Sequence, residues 1–360
     1  MRLRVLAFAL LLGTPALAQE GGPPPVPPTP EMMQAATERA IDGYIIGAYD
    51  ALEAQTRTFA AGLTAYCAAH DLSAAATADL GFAALLEKWA GVDFINFGPI
   101  SRDTRFDRFA FWPDPHGTGD RQLRQLLARP DPAIIAPGAL PKQSAAIQGL
   151  PALEVLLYSG TKSPIACDLA KAIAANLHDI AAQTAAEWKG DSGWRALMLS
   201  PGPANPVYTD ANQPLTDVLR ALLLGLEVLR DQRIQPARGP MPDAAKASRA
   251  PYWRSGSTIA YWRASADALA RYAQAMGLTQ LVANPDAAHA LQSASEFEFR
   301  NLRDALGSVS PPLDKALVDP QPRGKLGYAL LVLQSLRTIY QTQLPGASGI
   351  QPGFNSLDGD

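Results

Sequence analysis

Few side chains in this sequence are placed to do chemistry, and the first of them is Glu154. It lies in the stretch from Ala145 to Gly160, A-A-I-Q-G-L-P-A-L-E-V-L-L-Y-S-G, between Ala152 and Leu153 on one side and Val155 to Tyr158 on the other. On a helix, Ile147, Leu150, Glu154, Leu157 and Tyr158 share one stripe, because residues three and four apart lie on the same face. A carboxylate on an aliphatic stripe is expected to be at least partly buried, and a buried charge without a partner is costly. Glu154 therefore requires an Arg or Lys, a cluster of backbone N–H groups, or a metal ion. A second candidate is Arg254 with Ser255, in the run P-Y-W-R-S-G-S-T, read as the opening of a helix after Tyr252-Trp253. A guanidinium beside aromatic rings is a fork for a carboxylate, and so a partner for Glu154 or for an anionic ligand. The other reading of this segment is a solvent-facing helix start.

Most other chemistries lack their residues. The four histidines, His70, His116, His178 and His289, are widely separated, and none lies three or four positions from another. A helix-borne histidine pair for a metal is thus absent, as are HExxH, Walker and GxGxxG motifs and a GxSxG elbow. His116, in Pro115-His116-Gly117 within an aromatic stretch, is the one histidine worth testing. Two cysteines, Cys67 and Cys167, stand far apart with no CxxC spacing, which favours a disulfide over metal ligation in an oxidising compartment.

The N-terminus specifies that compartment. Arg2 and Arg4, the apolar run Val5 to Leu12 and the small residues Ala16-Leu17-Ala18 form the three parts of a secretory signal peptide over residues 1–18. The apolar run is far short of the roughly 20 residues that span a bilayer. The chain is expected to be periplasmic, with no transmembrane segment in its mature form. A net charge of −3 and the lack of any basic run argue against nucleic acid and anionic membrane surfaces as partners.

The elements that must hold these residues read as helices. The composition is 48% apolar, and its abundance of alanine over β-branched residues favours helix. A proline-rich leader covers residues 19–30. Thr29 and Pro30 then open a long helix, with Ile45, Tyr49, Leu52, Phe59, Leu63 and Tyr66 as its seam, ending near His70. Ser73 is expected to cap a second, carrying Phe82, Leu85, Leu86 and Trp89 to Gly91. Residues 92–142 lose periodicity among seven prolines, apart from a short helical pattern at Arg121 to Leu127. This loop alternates arginine with phenylalanine, which reads either as a ligand-binding rim or as a loop pinned by its aromatics. The Glu154 helix follows, then one opened by Ser163-Pro164 with Leu169, Ile173, Leu177, Ile180 and Trp188. After a loop at 190–212, four more helices follow, through Leu215–Leu229, Ile259–Met276, Pro285–Leu302 and Arg323–Gln341. The expected fold is all-α, with two four-helix bundles at 31–195 and 205–345 and a tail at 346–360. An echo between Leu153-Glu154-Val155-Leu156 and Leu226-Glu227-Val228-Leu229 suggests a duplication. The acidic tail resembles part of a calcium loop but lacks its spacing and closing glutamate.

Several segments together resemble the imelysin-like family of exported bacterial proteins. They are Phe97-Gly98-Pro99, the run Phe109 to Asp114, the run Gln148 to Glu154, Tyr252-Trp253-Arg254-Ser255, and the ending Gly353 to Asp360. The resemblance implies two helical bundles in the periplasm or outer envelope and an association with iron uptake, with some relatives classed as metallopeptidases. It also implies a G-x-H-x-x-E motif where the two bundles face each other. Gly149 and Glu154 match that motif, but Pro151 stands where the histidine belongs. Proline offers no ligand, so a three-ligand catalytic zinc site cannot be drawn from this segment. The expectation is a ligand- or metal-binding accessory factor in iron uptake, and not a hydrolase. Its site would comprise Glu154, Gly149, Gln148, Trp112, Asp114, Arg254 and Ser255, and any iron or other divalent cation at Glu154 would be held by oxygen donors. A metal-dependent peptidase and a non-catalytic scaffold for an envelope protein partner are the alternatives.

Overall fold

A computed structural model describes residues 25–350, apart from 73, 74, 76, 77, 79 and 137. The signal peptide, the start of the proline-rich leader, the Ser73 cap and the tail beyond 350 lie outside the described residues.

The described chain is helical, with no strand. Thr29 accepts a hydrogen bond from the Met32 amide through its hydroxyl, and Pro30 sits where a missing N–H costs nothing, so helix α1 (Pro30–Ala40) starts as expected. A π-helical turn at Ile41–Ile45 joins it to α2 (Ile46–Ala69), which ends at His70. Next come α3 (Phe82–Ala90), the short α4 (Arg105–Phe109) and α5 (Thr118–Ala128). The Glu154 helix is α6 (Leu150–Tyr158), and α7 (Ala166–Glu187) follows it. A short α8 (Trp194–Leu199) occupies part of the stretch expected to be a loop. In the second half α9 (Asn212–Glu227) continues through a π-helical stretch at Val228–Ile234 into α10 (Gln235–Arg238). It is followed by α11 (Thr258–Met276), α12 (Pro285–Gly307), α13 (Leu313–Val318) and α14 (Pro320–Thr338). A last π-helical turn at Ile339–Gln343 leads into α15 (Leu344–Ser348).

Three expectations are corrected. The second helix begins at Phe82, with Gly81 before it in a left-handed conformation. The Glu154 helix starts at Leu150 and not at Ala145, because Pro151 fits only a first turn, and Ala145–Ile147 form a separate tight turn. Arg254 and Ser255 lie in a turn ahead of α11, which begins at Thr258.

The π-helical turn explains how the first long segment serves both halves. The extra residue rotates the apolar stripe, so α2 lies along α7 and α3, while α1 packs on α9 and α11. Tyr49, Leu52, Phe59 and Leu63 of α2 are buried together with Leu169, Ile173, Leu177 and Ile180 of α7. In the second half α12 packs against α14 and α11. Because α11 also contacts α3, buried residues of both halves form one continuous hydrophobic cluster. Cys67 at the end of α2 is bonded to Cys167 at the start of α7, with their Cα atoms 5.8 Å apart.

The loop from 92 to 142 is pinned by its aromatics. Phe94 and Phe109 are buried, Phe109 stacks on Trp89 at 4.3 Å between ring centres, and Phe106 packs on the same indole. Arginines of this loop hold it from the other side. Arg105 is buried and bonds the Pro99 carbonyl and Glu187, and Arg108 reaches Gln148 and Asn176.

Candidate functional site

The site is built on α6. Its Leu150, Leu153, Leu156 and Leu157 are fully buried, which seats the helix inside the protein. Gly149, just before it, lies against the end of α4. A Cβ there would come within 2.6 Å of the Phe109 carbonyl oxygen and 2.9 Å of that of Arg108, so only glycine allows this approach. The fully buried Gln148 accepts from Arg108 Nε at 3.0 Å and donates to the Gln143 carbonyl at 2.9 Å. Gln148 and Gly149 thus fasten α6 to the loop from beneath.

Glu154 is 2% exposed, and its partner is a turn of the second half. Its Oε1 accepts from the Ser255 amide at 2.9 Å and from the Ser255 hydroxyl at 2.8 Å. Burial pushes the carboxyl above the ordinary glutamate range, and the bonds from Ser255 together with the positive charge of Arg254 pull it partly back. The Arg254 guanidinium is not the partner that the sequence suggested. It reaches Asp120 at 2.6 Å and lies over the Trp253 ring at 4.7 Å. Of the three possible partners for Glu154, the structure contains the backbone N–H, reinforced by a hydroxyl.

Above this joint lies a cleft of about 240 Å³ between the loop, α6 and the Ser255 turn. Trp112, Asp114, Asp120, Pro151, Trp253 and Arg254 line it. Trp112 precedes a cis proline, Pro113. Asp114 also has a structural task, since its two oxygens each accept an amide at 2.8 Å, from Thr118 and Gly119, and so close the start of α5. The structure therefore brings Trp112, Asp114 and Arg254 to one cleft, fixed from behind by Glu154 and Ser255, while Gln148 and Gly149 support α6. His116 is exposed, and its carbonyl accepts from Arg121.

A metal at Glu154 is a poor match to these donors. One carboxylate oxygen already holds two hydrogen-bond donors, and Pro151 supplies no nitrogen. Among the described residues no three His, Cys, Asp or Glu side chains are grouped closely enough to hold an ion.

A second polar cluster went unread in the sequence. Asp93, buried after α3, pairs with Arg233 of the π-helical stretch, with an Nη2–Oδ2 distance of 2.8 Å. Tyr261 donates to the same carboxylate oxygen, and Arg233 also reaches Ser265 at 3.2 Å. Asp93 stands between Val92 and Phe94, the same pattern of a carboxylate in an apolar run that marked Glu154. Asp120, the partner of Arg254, was unmarked because its neighbours are ordinary helix-surface residues.

Fold and site together define an all-helical protein in which a buried glutamate of α6 is held by the serine-bearing turn ahead of α11. The family model described as Imelysin matches residues 45–339, and the chain belongs to that family. The structure is similar to that of an imelysin-like protein from Psychrobacter arcticum, with a TM-score of 0.73 and 19% identity, covering 91% of this chain and all of that one. It is also similar to an iron-regulated protein A precursor from Parabacteroides distasonis, with a TM-score of 0.71 and 13% identity, covering 89% of this chain and 96% of that one. No curated protein matches the chain in sequence. No helix among the described residues is long and apolar enough to cross a membrane.

Proposed function

We propose that this imelysin-family protein is an exported, periplasmic, non-catalytic accessory factor in iron acquisition, which binds a small ligand in the cleft of Trp112, Asp114, Asp120, Pro151, Trp253 and Arg254. The observation that carries this reading is the commitment of Glu154 to Ser255. The carboxylate works as a positioning group: it holds the turn that presents Trp253 and Arg254 to the cleft. The cleft walls then offer two indoles, a proline ring and an ion pair between Arg254 and Asp120, which suits a small molecule with an apolar face and polar edge. A metallopeptidase needs a metal with an open position held by about three protein ligands. Pro151 supplies none, and Glu154 has one of its two oxygens committed to Ser255. The signal-peptide pattern of residues 1–18 and the Cys67–Cys167 bond support export. The description of the Parabacteroides relative as iron-regulated supports the link to iron.

The test is radioiron uptake by iron-starved cells lacking the protein. Wild-type protein should restore uptake, while Trp253→Ala and Arg254→Ala proteins, exported and folded, should not. Unchanged uptake in the deletion strain, or chelator-sensitive proteolysis by the purified protein, would overturn the reading.

A further inference from the structure

A second cavity, of about 280 Å³, lies behind the cleft, and Trp112 lines both. Trp89, Phe106, Tyr252 and Tyr261 give it aromatic walls, and the Asp93–Arg233 pair with Asn96 and Gln232 supplies its polar side. Three features set it apart from ordinary packing space.

The first is its hydrogen-bond inventory. Arg233 is 7% exposed, and its Nη atoms are spent on Asp93 and Ser265, but its Nε has no partner in the protein. The Nε1 of Trp112 is likewise buried and without a partner. Buried donors are usually paired; others without a partner occur among the described residues, as at Trp188, Trp262 and Arg337, but here two fall on residues lining one cavity and mark a place for an acceptor. The second is the backbone that places Arg233. It lies in the π-helical stretch Val228–Ile234, an insertion that re-aims side chains and recurs at functional sites. The third is Tyr252, a buried non-glycine residue with φ of +58°. Such a conformation is unfavourable for a residue with a Cβ and persists only where surrounding structure enforces it. The strained turn sets the Tyr252 ring edge-on to Tyr261 at 4.7 Å between centres.

We propose that this cavity is a binding site for an uncharged, single-ring aromatic molecule with a carbonyl-type oxygen acceptor, which takes the N–H groups of Trp112 and Arg233. The size admits one ring, since pockets for small molecules run from about 300 Å³ upward. The walls select an aromatic body, because the rings of five aromatic residues line it. Neutrality follows from the pair itself. Asp93 and Arg233 cancel, so a further buried ion would have no counter-charge and would pay the full cost of leaving water. This inference does not depend on the function proposed for the outer cleft, and its variants leave Trp253 and Arg254 untouched.

The experiment uses benzamide, benzoate and toluene as probes in proton–nitrogen NMR of the full chain, read at the tryptophan indole N–H signals. Benzamide should shift, saturably, the indole signal that is missing in Trp112→Phe. Benzoate, which adds a charge, and toluene, which lacks the acceptor, should each bind at least tenfold more weakly. Arg233→Lys keeps a positive charge opposite Asp93 but removes the Nε–H, and should weaken benzamide several-fold in a protein that still melts cooperatively. Ala110→Leu, which fills the cavity from its wall, should abolish the shift and serves if Arg233→Lys does not fold. No saturable shift, a shift retained in Ala110→Leu, or benzoate binding as well as benzamide would each overturn the proposal.

Discussion

Replacing Glu154 separates a hydrogen-bonding role from a charge role. In Glu154→Ala, both donors of Ser255 lose their acceptor. The hydroxyl has a second outlet, the Tyr252 carbonyl at 3.1 Å, so only the amide is left orphaned. An orphaned buried amide costs about 1–3 kcal/mol. The one methylene lost at a 2% exposed position adds about 0.8 kcal/mol, while relief of a buried charge gives some of this back. The net expectation is a loss of about 1–3 kcal/mol. Glu154→Gln keeps an oxygen in place of Oε1 and removes the charge that burial disfavours, so it should stay within about 1 kcal/mol of wild type at neutral pH. The pH dependence follows the same logic. The folded-state pKa of Glu154 is raised, so the folded protein binds this proton more readily than the unfolded chain. Stability from this group is full below the ordinary glutamate value of about 4.3 and is lost as pH rises through the folded-state pKa. Relative to Glu154→Gln, the wild type should therefore gain stability on acidification through that window. Urea midpoints of the three proteins measured across pH provide the assay. If glutamine proves as damaging as alanine, the charge itself is needed, as a metal or guanidinium partner would require, and the argument from Ser255 fails.

Three further outcomes are expected. Cys67→Ser/Cys167→Ser removes a link across 100 residues of sequence, worth about 4–5 kcal/mol in the chain-entropy picture; an unchanged denaturation midpoint with and without reductant would refute it. Arg233→Met leaves the buried Asp93 carboxylate without its counter-charge and should cost about 3–5 kcal/mol, most of it recovered in Asp93→Asn/Arg233→Met; equal losses in single and double variants would show that the pair is not coupled. Gly149→Ala places a Cβ 2.6 Å from a backbone oxygen that cannot swing aside, for a cost of about 1–3 kcal/mol in thermal melts; a shift near zero would mean that α6 is free to move.

Helices were legible because their apolar periods were long. The seams of α2, α7 and α11 recur over many turns, and such periods outweigh local exceptions. The π-helical turns were not legible. An inserted residue leaves no mark beyond a slipped phase, so the chain from Thr29 to His70 read as one straight helix when its first part serves α9 and α11. The start of α6 was misplaced because Ala145–Ile147 satisfies the apolar stripe, whereas Pro151 alone sets the boundary. Glu154 was legible as a buried carboxylate, since its neighbours in sequence are also its neighbours in space. Its partner was only half legible. Arg254 and Ser255 are adjacent, and which of the two faces the carboxylate depends on the left-handed turn at Tyr252, a conformation not expected of tyrosine. Asp93 carries the same sign as Glu154, but it lies in a loop and not on a helical stripe, so no periodicity assigns it a buried face.

Position 151 offers the sharpest test of what Glu154 is for. The proline there fits the first turn of α6, where no N–H is required, and its ring lines the cleft beside Trp112. Pro151→His would restore the G-x-H-x-x-E pattern and set an imidazole three residues before Glu154, on the same helical face. If Glu154 were a metal ligand lacking only its companion, this single change should create zinc affinity that Glu154→Gln abolishes. With Oε1 held by both donors of Ser255, freeing it for a metal would break two hydrogen bonds to a charged acceptor, each worth about 1.5–3 kcal/mol, and Oε2 with one imidazole falls short of the about three protein ligands that hold zinc tightly. Zinc titration of Pro151→His should therefore show no more affinity than one isolated histidine gives, and the result should be the same with glutamine at position 154. Tight binding that depends on the Glu154 carboxylate would mean that Ser255 releases it readily, and that the joint between the halves is a metal site that has lost one ligand.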